Sequence, residues 1–395
     1  MTFRSKIAAA AALPVRGRPD RIQAALPVRG RPDRFPPLTI LRTVAGAALL
    51  VALIGLTGCP NSPTGGNGPS PGAPSGQTFR AALVVDTGGI DDKSFNAAAN
   101  AGRMKAQSEL GMTDQTFSLI QSKAKADYKT NLTQFASQGY DLVIAVGQNM
   151  EDALKEVAPQ FPNVKFAIVD GASPDGVSNC ASLRFREEQG TFLAGFVAAS
   201  MSKTKKIGFV GGEEIDLIKK FEAGYRAGAK TAGFNPDTQV VRAYTNNWDD
   251  LAKGRTIGDQ EFNNGVDIIF AAAGKGGLGV IQAAKEKGPG YYAIGVDQDQ
   301  DGIAPGRVLT SMVKHVDTAV FDSTKRAKEH KFEGGTITYD LKQGGIDLSE
   351  MKFTKKDIPA DVLTKLDKLR KLVQDGTVVP PSTLEAVKGF VPPKL

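Results

Sequence analysis

Cysteine and histidine are scarce in this 395-residue chain, with two of each. Two cysteines, Cys59 and Cys180, exclude a disulfide framework, so stability must come from a buried core. With 41% hydrophobic and 23% charged residues the chain can build one. The two histidines, His315 and His330, form no His-Glu-x-x-His zinc motif. There is no nucleophile elbow, and no cysteine and histidine that sequence alone brings together. The glycine-rich run 274–279 lacks the Lys-Ser/Thr ending of a phosphate-binding loop and the spacing of a dinucleotide fingerprint. It reads as a tight turn into a helix. Consecutive acids such as Asp91 and Asp92 seldom face one site, and a capping role ahead of Ser94 suits them better. These absences argue against an enzyme, and no catalytic residue, metal or cofactor is expected.

The body also lacks any excess of charge. Residues 1–42 hold nine basic side chains against Asp20 and Asp33, which accounts for the whole formal charge of +7 and leaves 40 basic and 40 acidic residues beyond Arg42. A basic nucleic-acid surface is therefore not indicated.

What is present at the front is an address. Residues 43–56 are uncharged and rich in Ala, Val, Leu and Ile, as in a signal-peptide core, and too short to cross a bilayer, which takes about 20 apolar residues. The segment ends in Leu56-Thr57-Gly58-Cys59, which resembles the lipobox of bacterial lipoproteins. That resemblance implies cleavage before Cys59 and acylation of its sulfur, with palmitate-like chains that would hold the protein on the outer side of the cell membrane. Domain limits follow: leader and signal peptide 1–59, a Pro/Gly/Ser-rich tether 60–78, and a ligand-binding domain 79–395. Upstream of the signal, the eleven residues 11–21 recur word for word at 24–34, which has no folding logic. We expect this leader to be dispensable or to precede the true start.

From Arg80 onward, short β-branched runs alternate with amphipathic stretches, the pattern of parallel strands joined by crossover helices. Strands are expected at 81–86, 116–121, 142–146 and 164–169, with helices at 94–110, 127–138 and 149–158. A second series follows at 207–212, 239–244, 267–272, 291–296 and 308–312, so two similar lobes are expected, about 79–200 plus a returning segment and about 205–310. The alternating run 177–183 reads as a strand burying Cys180 as an inert thiol. A C-terminal helix at 359–374 presents Val362, Leu366, Leu369 and Val373 at helical spacing. In open parallel sheets ligands sit beyond the carboxyl ends of strands. This singles out Asp86, Gly147 to Asn149, Asp170, Thr245 to Trp248, Gly274, Asp297 and Lys314.

The segment from Asp86 to Asn96, reading Asp-Thr-Gly-Gly-Ile-Asp-Asp-Lys-Ser-Phe-Asn, resembles the basic membrane protein family of substrate-binding lipoproteins, purine nucleoside receptor type. Further segments agree in order, among them Gln189 to Gly195, Asn247 to Gly254, Ala273 to Gly279, Gly295 to Gln300 and Val308 to Lys314. The resemblance implies a type I periplasmic-binding-protein fold, two Rossmann-like α/β lobes with a ligand cleft at a hinge. It also implies delivery of a purine nucleoside to an ABC-type permease. By the same resemblance Phe95 stacks on the base, Asp297 and Lys314 hold the ribose, and Asp86, Asn96 and Asp170 address polar edges, while Gly274 allows close backbone approach. The ring opposite Phe95 is left open between Trp248 and Phe270. A sugar-binding or ligand-sensing surface lipoprotein of the same fold is the alternative.

Overall fold

The computed structural model describes residues 78–395, so the leader, Cys59 and the tether up to Gln77 lie outside the described residues. The first series of elements runs β1 (Ala81–Val85), α1 (Phe95–Leu110), β2 (Phe117–Gln121), α2 (Asp127–Ser137), β3 (Leu142–Val146), α3 (Glu151–Val157), β4 (Lys165–Val169) and β5 (Cys180–Phe185). Then come α4 (Glu187–Met201), β6 (Ile207–Gly211), α5 (Asp216–Thr231), α6 (Pro236–Gln239), β7 (Val240–Tyr244), α7 (Leu251–Asn263), β8 (Ile268–Ala272), α8 (Lys275–Lys287), β9 (Tyr292–Asp297) and β10 (Val308–Lys314). The chain closes with α9 (Val316–Lys328), β11 (Gly335–Tyr339), β12 (Ile346–Leu348), α10 (Ala360–Gln374) and α11 (Leu384–Gly389).

Two six-stranded sheets result, ordered β11-β5-β4-β3-β1-β2 and β12-β10-β9-β8-β6-β7. Within each, the first five strands in chain order repeat one arrangement, and all pairs are parallel except the antiparallel β10–β12. The central strands β1, β3, β6 and β8 are buried along their full length, as expected of strands covered by helices on both faces. In this order the chain reverses direction between β1 and β3 and between β6 and β8. Those two switch points open the crevices where ligands bind.

The chain passes between the sheets three times, at Phe185–Glu187, at Lys314–Val316 and between Tyr339 and Ile346. Backbone hydrogen bonds tie these crossings together: Arg186 N–H donates to the Tyr339 carbonyl at 3.0 Å and His315 N–H to the Gly345 carbonyl at 3.0 Å.

Several elements differ from the sequence expectation. The first lobe ends near Phe185 rather than 200, because α4 packs against α5 and against β10 and β12 of the second sheet. The interlock depends on missing side chains: a Cβ on Gly195 would lie 2.0 Å from the Tyr225 carbonyl oxygen, and one on Gly228 2.0 Å from that of Phe192. β10 extends the second lobe to Lys314, and β11 and β12 are additional strands. The strand carrying Cys180 starts three residues later than 177, with the thiol buried and its pKa pushed up to about 12 by that burial. The four apolar residues of the C-terminal helix are buried, and that helix packs on α4.

Candidate functional site

A cavity lies between the lobes where the strand ends of both sheets converge. From the first lobe it is lined by Asp86 after β1, by Phe95 and Asn96 at the start of α1, by Gly147 to Asn149 after β3 and by Asp170 after β4. From the second it is lined by Ile218 and Phe221 on α5, Trp248, Gly274, Asp297 at the end of β9 and Lys314 at the end of β10.

Local chemistry sets each group. Asp92 caps α1: one carboxylate oxygen accepts from the N–H groups of Ser94 and Ala97, both at 2.9 Å, and the other from Asn96 N–H at 2.9 Å. This fixes the turn that presents Phe95. Asp91 does not cap; it reaches across the cleft to Lys275 at 2.7 Å. Asp170 and Asp297 both sit at positive φ, 66° and 64°, a strained backbone for aspartate that turns each side chain off its strand. Gly274 has φ 54°, and a Cβ there would be 3.0 Å from the Trp248 carbonyl oxygen, so this turn needs glycine.

The electrostatic centre is Lys314, only 1% exposed, whose ammonium lies 2.5 Å from Asp170 and 3.2 Å from Glu187. Burial opposes its charge, but the surrounding carboxylates of Asp170, Glu187 and Asp297 hold its pKa above the ordinary lysine value. Burial pushes Asp170 and Asp297 up to about 6, against the pull of Lys314. Ser94 Oγ donates to Asp297 at 2.5 Å. Burial likewise raises Asp86, which accepts from Tyr128 Oη and, at 2.6 Å, from Thr87 N–H. With four aspartates and one lysine on its wall, the cavity is acidic.

Asn96 Oδ1, Gln148 Oε1, Asp170 Oδ1 and Trp248 Nε1 are buried without a hydrogen-bond partner in the protein, although their residues line the cavity. Buried polar atoms are normally paired, so these mark where a polar ligand gains bonds. Direct contacts cross the cleft as well: Lys125 with Glu213 at 2.7 Å, Lys275 with Asp91, and Gln300 Nε2 donating to the Lys93 carbonyl at 2.7 Å. The lobes are closed on each other.

Of the nine expected binding residues, eight line this cavity and one does not. Phe270 is fully buried in the second lobe, packed among Phe209, Phe221 and Tyr225. It lies two residues short of the end of β8, where Phe221 and Tyr225 of α5 pack against it, and of these rings Phe221 is the one that lines the cavity. Phe221 is the sixth residue of α5, beyond the strand-to-helix loop in which strand ends place binding groups. The i, i+3 pair of Ile218 and Phe221, following Gly211-Gly212, was the available signal.

Residues 79–380 match the Bmp family, described as ABC transporter substrate-binding protein, PnrA-like. The chain belongs to this family. Bmp proteins are the substrate-binding components of ABC transporters, not enzymes. Among curated Bmp relatives, the CD4+ T-cell-stimulating antigen of Listeria monocytogenes is 40% identical over 324 residues, covering 78% of this chain and 89% of the relative. The ABC transporter nucleoside-binding protein BmpA of Lactococcus lactis is 35% identical, covering 86% and 99%. A solved ABC transporter solute-binding protein from Aeropyrum pernix superposes with a TM-score of 0.72 at 27% identity, covering 78% of this chain and 96% of that one. The fold is thus the two-lobed periplasmic-binding-protein type.

Proposed function

We propose that this Bmp protein captures a purine nucleoside in the interlobe cleft and hands it to an ABC permease, held at the outer face of the cell membrane by acyl chains on Cys59. The observation that carries the ligand reading is the convergence, in one cavity, of aromatic rings from opposite lobes with a carboxylate and an ammonium. Phe95 comes from the first lobe, Phe221 and Trp248 from the second, and Asp297 and Lys314 from the strand ends between them.

A nucleoside presents a flat base, and stacking such a base on aromatic side chains contributes about 1 to 3 kcal/mol per base. Phe95 takes one face and Phe221 the other. The polar edge is addressed by Asp86, Asn96 and Asp170, and Trp248 Nε1 supplies a donor beside it. The vicinal ribose hydroxyls suit an accepting Asp297 and a donating Lys314. An acidic wall disfavours a phosphate, so the free nucleoside fits better than a nucleotide. The nucleoside-binding name of the Lactococcus lactis relative supports the same class.

The anchor reading rests on Leu56-Thr57-Gly58-Cys59 and the uncharged run before it. Among the described residues no helix is long and apolar enough to cross a membrane.

Thermal melting tests the ligand class. A ligand that binds only the native state stabilises it by about 2.7 kcal/mol at one hundred times Kd. Adenosine, guanosine or inosine is expected to raise Tm, and a shift with ribose or galactose but none with nucleosides contradicts the reading. For the anchor, Cys59→Ser is expected to release the protein from the membrane fraction; unchanged membrane retention overturns that part alone.

A further inference from the structure

Glu187 touches Lys314 but lies outside the cavity wall. It is fully buried in the first turn of α4, at the first of the three crossings between the lobes. Its carboxylate faces two ammonium groups, Lys314 at 3.2 Å and Lys220 at 2.5 Å. Lys220 also donates to the Phe185 carbonyl at 2.7 Å, and its neighbour in sequence is Phe221. Phe185 in turn stacks on Tyr339 of the third crossing, centroids 5.0 Å apart. One carboxylate thereby joins the first crossing, the second crossing through Lys314, and the turn of α5 that carries a ring into the cavity.

An ammonium has three donors. Lys314 donates one hydrogen bond, to Asp170 of the first lobe, while Glu187 draws the ammonium by its charge at 3.2 Å without a hydrogen bond, which leaves donors for a ligand. A lysine side chain is otherwise free about four bonds, and its ammonium also sits over the rings of Phe95, Phe185 and Phe221 at 5.0 to 5.4 Å.

We infer that Glu187 is a positioning residue of the binding site, a hinge carboxylate that aims the Lys314 ammonium and, through Lys220, seats the α5 turn bearing Phe221. This rests on the reading that Lys314 and Phe221 contact the ligand. The groups that face this centre are Asp170 on the β4 end, Asp297 on the β9 end, Asp92 ahead of α1, Lys314 on β10, Lys220 on α5, and Glu188 on α4 with Arg186 beside it. The charge of Glu187 contributes to the raised pKa of both Asp170 and Asp297. Glu187→Gln keeps the shape and removes the charge, so both aspartates ionise at lower pH.

Inosine and guanosine titrations of the wild type, Glu187→Gln, Lys314→Met and the double variant, each checked by circular dichroism and read from pH 5 to 8, test the inference. Glu187→Gln is expected to weaken affinity roughly tenfold in the wild-type background and to change it little in the Lys314→Met background, because contacting residues in one network are not additive. The acid limb of the affinity profile is expected to move to lower pH. Equal losses in both backgrounds, or an acid limb that stays in place, overturn it, since a merely structural glutamate would act that way. If neither nucleoside binds the wild type, the nucleoside reading fails. The inference is then decided on the Lys314 ammonium in ¹⁵N-lysine spectra: slow proton exchange in the wild type and fast exchange in Glu187→Gln upholds it, and slow exchange in both overturns it.

Discussion

The rings of Phe221 and Phe270 lie nearly parallel, 20° apart in plane with centroids 6.5 Å apart, and only Phe221 lines the cavity. The two phenylalanines therefore separate binding from stability. Phe221→Ala is expected to weaken nucleoside affinity roughly five- to 150-fold, from a stacking contribution of about 1 to 3 kcal/mol. Phe270→Ala is expected to cost stability, about 3 to 5 kcal/mol, through the cavity it leaves among Phe209, Phe221 and Tyr225. Calorimetric titration and denaturant unfolding of both variants check this; an affinity unchanged by Phe221→Ala removes that ring from the site.

Asp297 gives binding a pH dependence. Its pKa is raised to about 6 by burial, and it accepts a ribose hydroxyl more strongly when ionised, so affinity for inosine should be flat near neutrality and fall as pH drops through 6. Asp297→Ala is expected to narrow the discrimination between inosine and 2′-deoxyinosine. Equal losses for the two ligands would argue against a hydroxyl at this position.

At the cleft rim, Lys275–Asp91 and Lys125–Glu213 join the lobes with charges placed in opposite senses. Asp91 is 68% exposed and Lys125 56%, so water and salt screen both pairs. Asp91→Asn should speed ligand release by no more than about fivefold at low salt, the range of exposed ion pairs. In molar salt the variant and the wild type should release ligand alike. A difference that persists there would mean that Asp91 acts by something other than its charge.

Glu261 carries a different pH signature. Burial on α7, packed against Gly208, pushes its carboxyl up to about 8, with Lys206 opposing only weakly, and neither oxygen has a hydrogen-bond partner in the protein. The folded state holds this proton until pH 8, whereas the unfolded chain releases it near the ordinary glutamate value of 4.5. The glutamate's contribution to stability is therefore full below about pH 4.5, falls steadily as pH rises to 8, and is level above that. Glu261→Gln, which cannot ionise, should remove this loss and raise Tm at pH 8 relative to the wild type. Identical Tm–pH profiles for the two proteins would show that Glu261 is already charged in the fold.

Most of the cleft is legible from strand ends alone, because a parallel sheet fixes where its loops converge whatever the loops contain. Asp86, Asp170, Asp297 and Lys314 follow from that geometry. Phe95 and Asn96 came instead from the Ser94-Phe95-Asn96 motif. Phe221 and Glu187 escaped because each lies within a helix, and whether a helical residue faces the cleft depends on how that helix packs. α4 shows the limit best: apart from Gln189 and its last residues toward Met201 it is buried nearly all round, so it has no polar face to set a period. β11 was missed for the opposite reason, being a five-residue edge strand with largely exposed side chains. β12, with three residues, is too short to show alternation.

The most direct measurement is the structure of the protein crystallised with inosine. The account predicts the base between Phe95 and Phe221, the ribose hydroxyls on Asp297 and Lys314, and the four unpartnered polar atoms of the cavity newly bonded. A ring-free molecule in the cleft, or a base lying away from both phenylalanines, would contradict it.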